Sequence, residues 1–277
     1  MTLTTKHFGA DIPKIGFGTW KLRDETAQMC VAKAIEAGYR MIDTAQAYEN
    51  ETHVGRGIAD SQTPRDDLWV TTKIWTSEFK DGDLQASLSK SLERLDLDHV
   101  DLVLLHWPNK DVSMEETFAA LNDARSKGMT KHIGVSNFTV EQMGQAVKLS
   151  EAPILTNQVE YHPFINQTPV LEAAHALGMS VTAYSPLAQG QVFDDAVLKE
   201  IGEKYGKSPA QVTVRWFVQQ PGVITIPRST SPEHIAANND VQDFELTAQE
   251  MGRITALNAN HKRLIDPSWA PEWDRAA

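Results

Sequence analysis

Short apolar runs alternate with amphipathic stretches along almost the whole of this 277-residue chain. The runs at 15–17, 41–44, 68–73, 100–106, 132–135, 156–160, 180–184 and 223–226 predict strands. Several are continuous and β-branched rather than alternating, the pattern of parallel strands covered by helices. The stretches between them carry helical spacing with recognisable ends. Asp24 precedes a helix at 25–37 that closes on Gly38, a second at 114–127 closes on Gly128, and a third at 169–177 closes on Gly178. Glycine just past a helix is a common stop, because it alone enters the left-handed region at no steric cost.

Eight strand–helix units in a chain of this length make either a closed parallel barrel or a large open sheet. An open nucleotide-binding sheet would carry G-x-G-x-x-G after its first strand. Here Gly16-Phe17-Gly18-Thr19-Trp20-Lys21 fails at the third glycine, so an α/β fold of the (β/α)8 TIM barrel type is expected. No proline- or glycine-rich linker or charge block divides 1–277, which reads as a single barrel domain. The opening 3–13, with a Phe8-Gly9-Ala10-Asp11 turn, predicts a short N-terminal hairpin plugging the barrel's base.

Composition narrows the setting. At 41% hydrophobic and 23% charged positions the chain is ordinary globular protein, large enough to bury its core without disulfide staples. One cysteine, Cys30, excludes an intrachain disulfide and fits a reducing compartment; its apolar surroundings in sequence make it a core filler rather than a nucleophile. A net charge of −11 argues against nucleic acid and anionic membrane surfaces as partners. The N-terminus lacks a basic segment followed by an apolar run, and no apolar stretch reaches the roughly 20 residues needed to span a bilayer. A soluble cytoplasmic protein is expected, a monomer by default since no heptad or apolar surface stripe marks an interface. His7, His53, His99, His132, His162, His175 and His261 show no metal-ligand spacing, and no metal is expected.

In such barrels the active site sits at the C-terminal ends of the strands. Strand two finishes at Ile42-Asp43-Thr44 with Tyr48 just beyond, strand three at Thr71-Thr72-Lys73, and strand four at Leu104-Leu105-His106-Trp107-Pro108. Each residue alone has an ordinary structural reading: a buried ion pair, a hydrogen-bonded core histidine, a rim aromatic. Together they fit carbonyl reduction. Hydride addition to a C=O carbon puts negative charge on oxygen, so a proton donor must stand beside it. A free tyrosine, with a pKa of about 10, is too weak an acid near neutrality. On this reading a Lys73 ammonium lowers the Tyr48 pKa, Asp43 keeps that ammonium charged and oriented, and His106 polarises the carbonyl by a hydrogen bond. Trp20, Trp75 and Trp107 follow strand ends one, three and four and are expected to wall a substrate pocket, with the tail carrying Trp269 and Trp273 folded over the barrel mouth.

The residues also resemble a known family. The runs Gly38-Tyr39-Arg40-Met41-Ile42-Asp43-Thr44-Ala45, Asn50-Glu51, Thr72-Lys73-Ile74-Trp75, His106-Trp107-Pro108, Ile133-Gly134-Val135-Ser136-Asn137-Phe138, Asn157-Gln158-Val159-Glu160-Tyr161-His162-Pro163, Tyr184-Ser185-Pro186-Leu187 and Ile226-Pro227-Arg228-Ser229 occur in the order found in the aldo-keto reductases. The short loops and the ending Pro267-Ser268-Trp269-Ala270-Pro271-Glu272-Trp273-Asp274 are most similar to the bacterial 2,5-diketo-D-gluconate and methylglyoxal reductases. The resemblance implies NAD(P)H-dependent reduction of aldehydes and ketones, with Asp43, Tyr48, Lys73 and His106 at the catalytic positions. It places Ser136, Asn137 and Gln158 on the nicotinamide carboxamide and stacks Tyr184 on the ring. The same matching extends the cofactor set to Thr19, Asp43, Ser185, Leu187, Gln189, Gly190, Arg228, Ser229, Thr230, His234 and Asn238, and the substrate set to Trp20, Tyr48, Trp75, His106 and Trp107.

Physics supports the phosphate end independently. Ser231 suits an N-cap and Pro232 the first helical position, so a helix start with free N–H groups lies beside Arg228. The family typically has an arginine where this chain has His234 and an acidic residue where it has Ala237. Histidine lacks the bidentate grip of arginine on a 2′-phosphate, so NADPH is expected to be preferred and NADH to be usable. Two other readings stay open on sequence alone: a Schiff-base aldolase using Lys73, and a cofactor-binding sensor barrel with little turnover.

Overall fold

Parallel strands follow one another in chain order around a barrel in the computed structural model, which describes residues 2–275. A two-stranded antiparallel hairpin comes first, β1 (Thr4–His7) with β2 (Ala10–Pro13). The eight barrel strands are β3 (Phe17–Gly18), β4 (Met41–Asp43), β5 (Trp69–Ile74), β6 (Val100–Leu105), β7 (Thr130–Ser136), β8 (Ile154–Glu160), β9 (Ser180–Tyr184) and β10 (Val223–Thr225). The sheet closes where Ile15 bridges Thr225 and the Gly16 and Gly18 amides donate to the Thr225 and Pro227 carbonyls at 2.8 and 3.1 Å. A Cβ on Gly18 would lie 2.8 Å from the Ile226 carbonyl oxygen, so this seam needs glycine.

The expected strands are all present, with no end displaced by more than two residues. The first is the most altered: pairing with β4 starts at Phe17, and Ile15 contributes only the closing bridge. Around the barrel run α1 (Asp24–Glu36), α2 (Glu51–Asp60), α3 (Asp83–Leu95), α4 (Met114–Ser126), α5 (Val140–Leu149), α6 (Thr168–Ala176), α7 (Ala196–Tyr205), α8 (Pro209–Val218) and α9 (Pro232–Asn239), followed by α10 (Ala248–Thr255). Helix α9 packs on both α8 and α1 and so closes the outer ring. Gly38, Gly128 and Gly178 stop their helices with positive φ, as expected from the sequence. Among the described residues no helix is long and apolar enough to cross a membrane.

Side chains alternate between two cores, as strand geometry requires. On β6, Leu102 and Leu104 point into the barrel, while Val103 and Leu105 pack outward under the helices. Cys30 lies in that outer layer, fully buried, as its apolar run predicts. Ala10 and Ile12 of the hairpin join Met41, Trp69, Leu102 and Ile224 inside the barrel, so the hairpin plugs the base. The base is also tied electrostatically. Asp101, at the start of β6, accepts from Arg65 Nη2 at 2.7 Å, the Val70 amide at 2.9 Å and Lys131 Nζ at 2.9 Å.

Candidate active site

At the opposite end, Asp43 closes β4, Lys73 is the last but one residue of β5 and His106 directly follows β6, which brings the three to one rim. Tyr48 reaches the same rim from a single helical turn after β4. Gln46 fixes that turn: its Nε2 donates to the Ser87 and Ser91 hydroxyls at 2.8 and 2.9 Å, and its Oε1 accepts from the Trp75 amide at 3.0 Å. Lys73 is fully buried. Its ammonium donates to Asp43 Oδ1, to the Thr44 carbonyl at 2.8 Å and to the Tyr48 hydroxyl at 3.3 Å. Those three acceptors match the three N–H donors of an ammonium, leaving no lone pair for attack on a carbonyl.

The protonation pattern differs from the sequence expectation. Burial, with the Asp43 charge adding to it, pushes the Tyr48 phenol well above its ordinary value, so Lys73 does not lower it in the resting site. Burial also lowers the Lys73 ammonium, and Asp43 opposes that shift without cancelling it. For Lys73 desolvation outweighs the ion pair because the ammonium is shut off from water, whereas for Tyr48 burial and the Asp43 charge act in the same direction. Burial and the neighbouring Lys73 hold the His106 imidazole well below its ordinary pKa, so it is neutral near pH 7. Its ring stands edge-on to Tyr48 and Trp75, at 5.6 and 5.3 Å, and its Nδ1 is buried without a protein partner.

Asp43, Tyr48 and His106 form part of one wall of a cavity of about 800 Å³, with Lys73 buried behind them. Trp20, Trp75 and Trp107 line one side of the cavity, with Asp43, Tyr48 and His106 between them. The opposite side is lined by Thr19, Ser136, Asn137, Gln158 and Tyr184, and further along by Ser185, Leu187, Gln189, Gly190 and Arg228. The Tyr184 hydroxyl donates to Asn137 Oδ1 at 2.8 Å, and Asn137 Nδ2 donates to the His106 carbonyl at 3.0 Å. A flat ring tethered in this way fits a stacked heteroaromatic, and the amides beside it fit a carboxamide. Ser185, Ala188 and Gln189 have φ of 49°, 47° and 53°. Left-handed backbone outside glycine costs about 1–2 kcal/mol per residue and collects in ligand-binding loops.

The remaining cofactor candidates lie off this wall. Ser229, Thr230, His234 and Asn238 occupy the loop and helix beyond Arg228, where Asn238 is buried and His234 exposed. Ser231 caps α9 by accepting from the His234 amide at 3.3 Å, and its own hydroxyl donates to the Glu233 carboxylate at 2.5 Å. A carboxylate at a helix start competes with an anion for the same N–H field. Among the described residues no three His, Cys, Asp or Glu side chains gather as a metal ion would need.

The tail lies over the mouth. Trp269 packs on Trp107 and Trp75 with ring centroids 4.9 and 5.9 Å apart, and Trp273 approaches Trp107 at 5.9 Å. Leu264, Ile265, Asp266 and Pro267 line the cavity with Trp269, and Phe193 exposes its ring at the rim. The tail was legible as a lid from its tryptophans. Phe193, the tail's aliphatic residues and the strut Gln46 were not, since nothing in their sequence neighbourhood marks them.

The Aldo/keto reductase family model matches residues 14–259 of the chain. The chain belongs to this family. A methylglyoxal reductase, DkgB, of Escherichia coli O157:H7 is 41% identical over 266 residues, covering 95% of this chain and 99% of that protein. A solved structure assigned provisionally as a 2,5-diketo-D-gluconic acid reductase B superposes with a TM-score of 0.97 at 44% identity, covering 99% of this chain and 98% of the other. A Bombyx mori aldo-keto reductase in complex with NADP superposes at 0.89 with 34% identity, covering 98% of each chain. The likeness therefore extends over the full barrel.

Proposed function

We propose that the chain is a single-domain, cytoplasmic, monomeric barrel that reduces small aldehydes and ketones with NADPH in preference to NADH, methylglyoxal and 2,5-diketo-D-gluconate being the first substrates to try. The observation that carries the reading is the Tyr48 hydroxyl 3.3 Å from Lys73 Nζ, facing a cavity whose other wall bears Tyr184, Asn137 and Gln158. Gln158 and Asn137 would hold the carboxamide, Tyr184 the ring and Arg228 the phosphates. The bound nicotinamide supplies the hydride.

The chain's own part is to place and protonate the carbonyl oxygen. Tyr48 keeps its proton in the resting site because burial raises its pKa. As negative charge grows on the substrate oxygen, that oxygen becomes the stronger base and the phenol proton moves to it. Lys73 then stands beside the phenolate, and Asp43 keeps Lys73 in place. Neutral His106 donates one N–H to the same oxygen without adding a charge that the buried site would have to solvate. The tryptophans of rim and lid exclude water, which strengthens each of these interactions.

The test follows NADPH absorbance with wild type and Tyr48→Phe on methylglyoxal, 2,5-diketo-D-gluconate and an aromatic aldehyde. Turnover by wild type and near-loss in Tyr48→Phe, with cofactor still bound, support the reading. Full activity in Tyr48→Phe defeats the mechanism, and cofactor binding without turnover of any of the panel favours a sensor. Borohydride trapping of substrate on Lys73 would indicate the aldolase instead.

A further inference from the structure

The lid has its root at the end of β8, where one carboxylate holds its main chain. Glu160, the last residue of β8, is fully buried. Its Oε1 accepts from the Leu264 amide at 2.7 Å and lies 2.9 Å from His162 Nε2; its Oε2 accepts from the Ile265 amide at 2.8 Å. Gln167 Nε2 donates to the Glu160 carbonyl at 2.6 Å and fixes the strand end from behind. A buried carboxylate is costly unless its lone pairs are filled. Here the filling groups are the backbone N–H donors of the tail, so carboxylate and tail hold one another.

The two amides belong to residues that are themselves cavity wall, five and four positions before Trp269. The start of the tail is also held at Lys262, whose amide donates to the Phe164 carbonyl at 2.7 Å and whose ammonium donates to Gln191 Oε1 at 2.5 Å; other ties lie further out. Trp273 Nε1 donates to Asp266 Oδ1 at 2.8 Å, the Val140 amide donates to Asp274 Oδ2 at 2.9 Å, and the Arg263 guanidinium covers the Trp273 ring at 3.9 Å. Those contacts fold the lid onto itself and onto α5. Among the hydrogen bonds of the described residues, only those to Glu160 join it to a barrel strand that also carries a site residue. Gln158 sits two positions earlier, and side chains two apart on a strand share a face. The amide of Gln158 is bonded to Asp43, so three residues of β8 connect the ion pair to the lid.

We infer that Glu160 is a positioning residue: it sets the height of the lid over the substrate end of the cavity, and through the lid it sets carbonyl affinity without touching the reacting atoms. The kinetic consequence rests on the reductase reading above; the structural one does not. Glu160→Gln turns one acceptor oxygen into an NH2 group facing a backbone N–H. Loss of one such charge-assisted bond should raise KM for the carbonyl substrate about tenfold, while kcat and the cofactor KM stay within about twofold. Tryptic cleavage after Arg263, read as the mass of the released C-terminal peptide, should quicken about tenfold as the root opens more often. Ile265→Pro deletes the second N–H and leaves β8 intact; it should reproduce both effects, so misfolding of the core variant cannot hide the answer. In the pair Glu160→Gln with Trp269→Ala the KM effects should fall short of multiplying, because both act through one lid.

An unchanged carbonyl KM overturns the inference, as does a loss shared equally by kcat and both KM values, or unchanged cleavage in both variants. If wild type reduces nothing, the reductase reading falls and the cleavage assay alone decides the role of Glu160.

Discussion

Gln158 Nε2 lies 2.7 Å from Asp43 Oδ2, the carboxylate oxygen that Lys73 leaves free. Asp43 is thus held from both sides by β8 and β5, and the lysine it anchors has no other direction to turn. Removing Lys73 would leave that carboxylate buried with one partner. Lys73→Met should therefore cost about 3–5 kcal/mol of stability by denaturant titration, whereas Tyr48→Phe loses one hydrogen bond worth about 1 kcal/mol. Equal stability losses in the two variants would contradict the ion-pair account.

Activity should divide the other way from stability for the phenol. Tyr48→Phe should cut kcat by about 10²–10⁴ with cofactor affinity retained, measured by steady-state kinetics and by fluorescence titration of NADPH.

The pH profile follows from the signs of the two shifts. Tyr48 is raised above the ordinary phenol value, so the protonated donor persists through neutrality and reduction fails only as pH climbs past that value. His106 is lowered below the ordinary imidazole value, so its neutral form persists as pH falls through that value. Reduction should therefore show a broad plateau that spans at least about pH 6.5 to pH 10 and extends beyond both. A kcat/KM that halves near pH 6.5 in wild type and not in His106→Gln would show that His106 titrates there.

Cofactor choice depends on the loop beyond Arg228. His234 is exposed and Glu233 places a carboxylate at the start of α9, so on the proposed reading a 2′-phosphate bound there would meet no arginine-like grip. His234→Arg should improve kcat/KM for NADPH over NADH about tenfold, the worth of one good charge-assisted contact. An unchanged ratio would place the phosphate elsewhere.

Acid stability has a separate source at Glu250, which accepts from Lys204 Nζ at 2.6 Å, the Tyr205 hydroxyl at 2.8 Å and the Thr247 amide at 2.8 Å. Burial tends to raise its pKa, but these donors outweigh it and hold the carboxyl at about 2. A depressed folded-state value stabilises above the unfolded value and is lost as pH falls. Wild type should lose stability relative to Glu250→Gln between about pH 4.5 and pH 2, checked by melting curves across that range.

Much of the barrel was readable because parallel strands buried on both faces leave continuous apolar runs, and 180–184 coincides with β9. The seam at Gly16 and Gly18 was not, since its pairing depends on Ile226 and Thr225, more than two hundred residues away. Asp43, Tyr48, Lys73 and His106 were readable as strand-end ionisable groups. The direction of the Tyr48 shift was misjudged because sequence shows which charges are near but not how completely water is excluded. Glu160 was visible only as part of a motif; its partners are backbone amides in a tail a hundred residues on, which no side-chain pattern reports.

The knot of Arg65, Lys131 and the Val70 amide around Asp101 lies at the start of the same strand that ends beside His106. Along β6 the two are about 16 Å apart, at roughly 3.3 Å per residue. A share of the barrel's ruggedness thus lies well away from the rim. Changes that harden the base need not slow the rim, and selection or engineering can adjust heat tolerance and substrate range as two nearly independent settings.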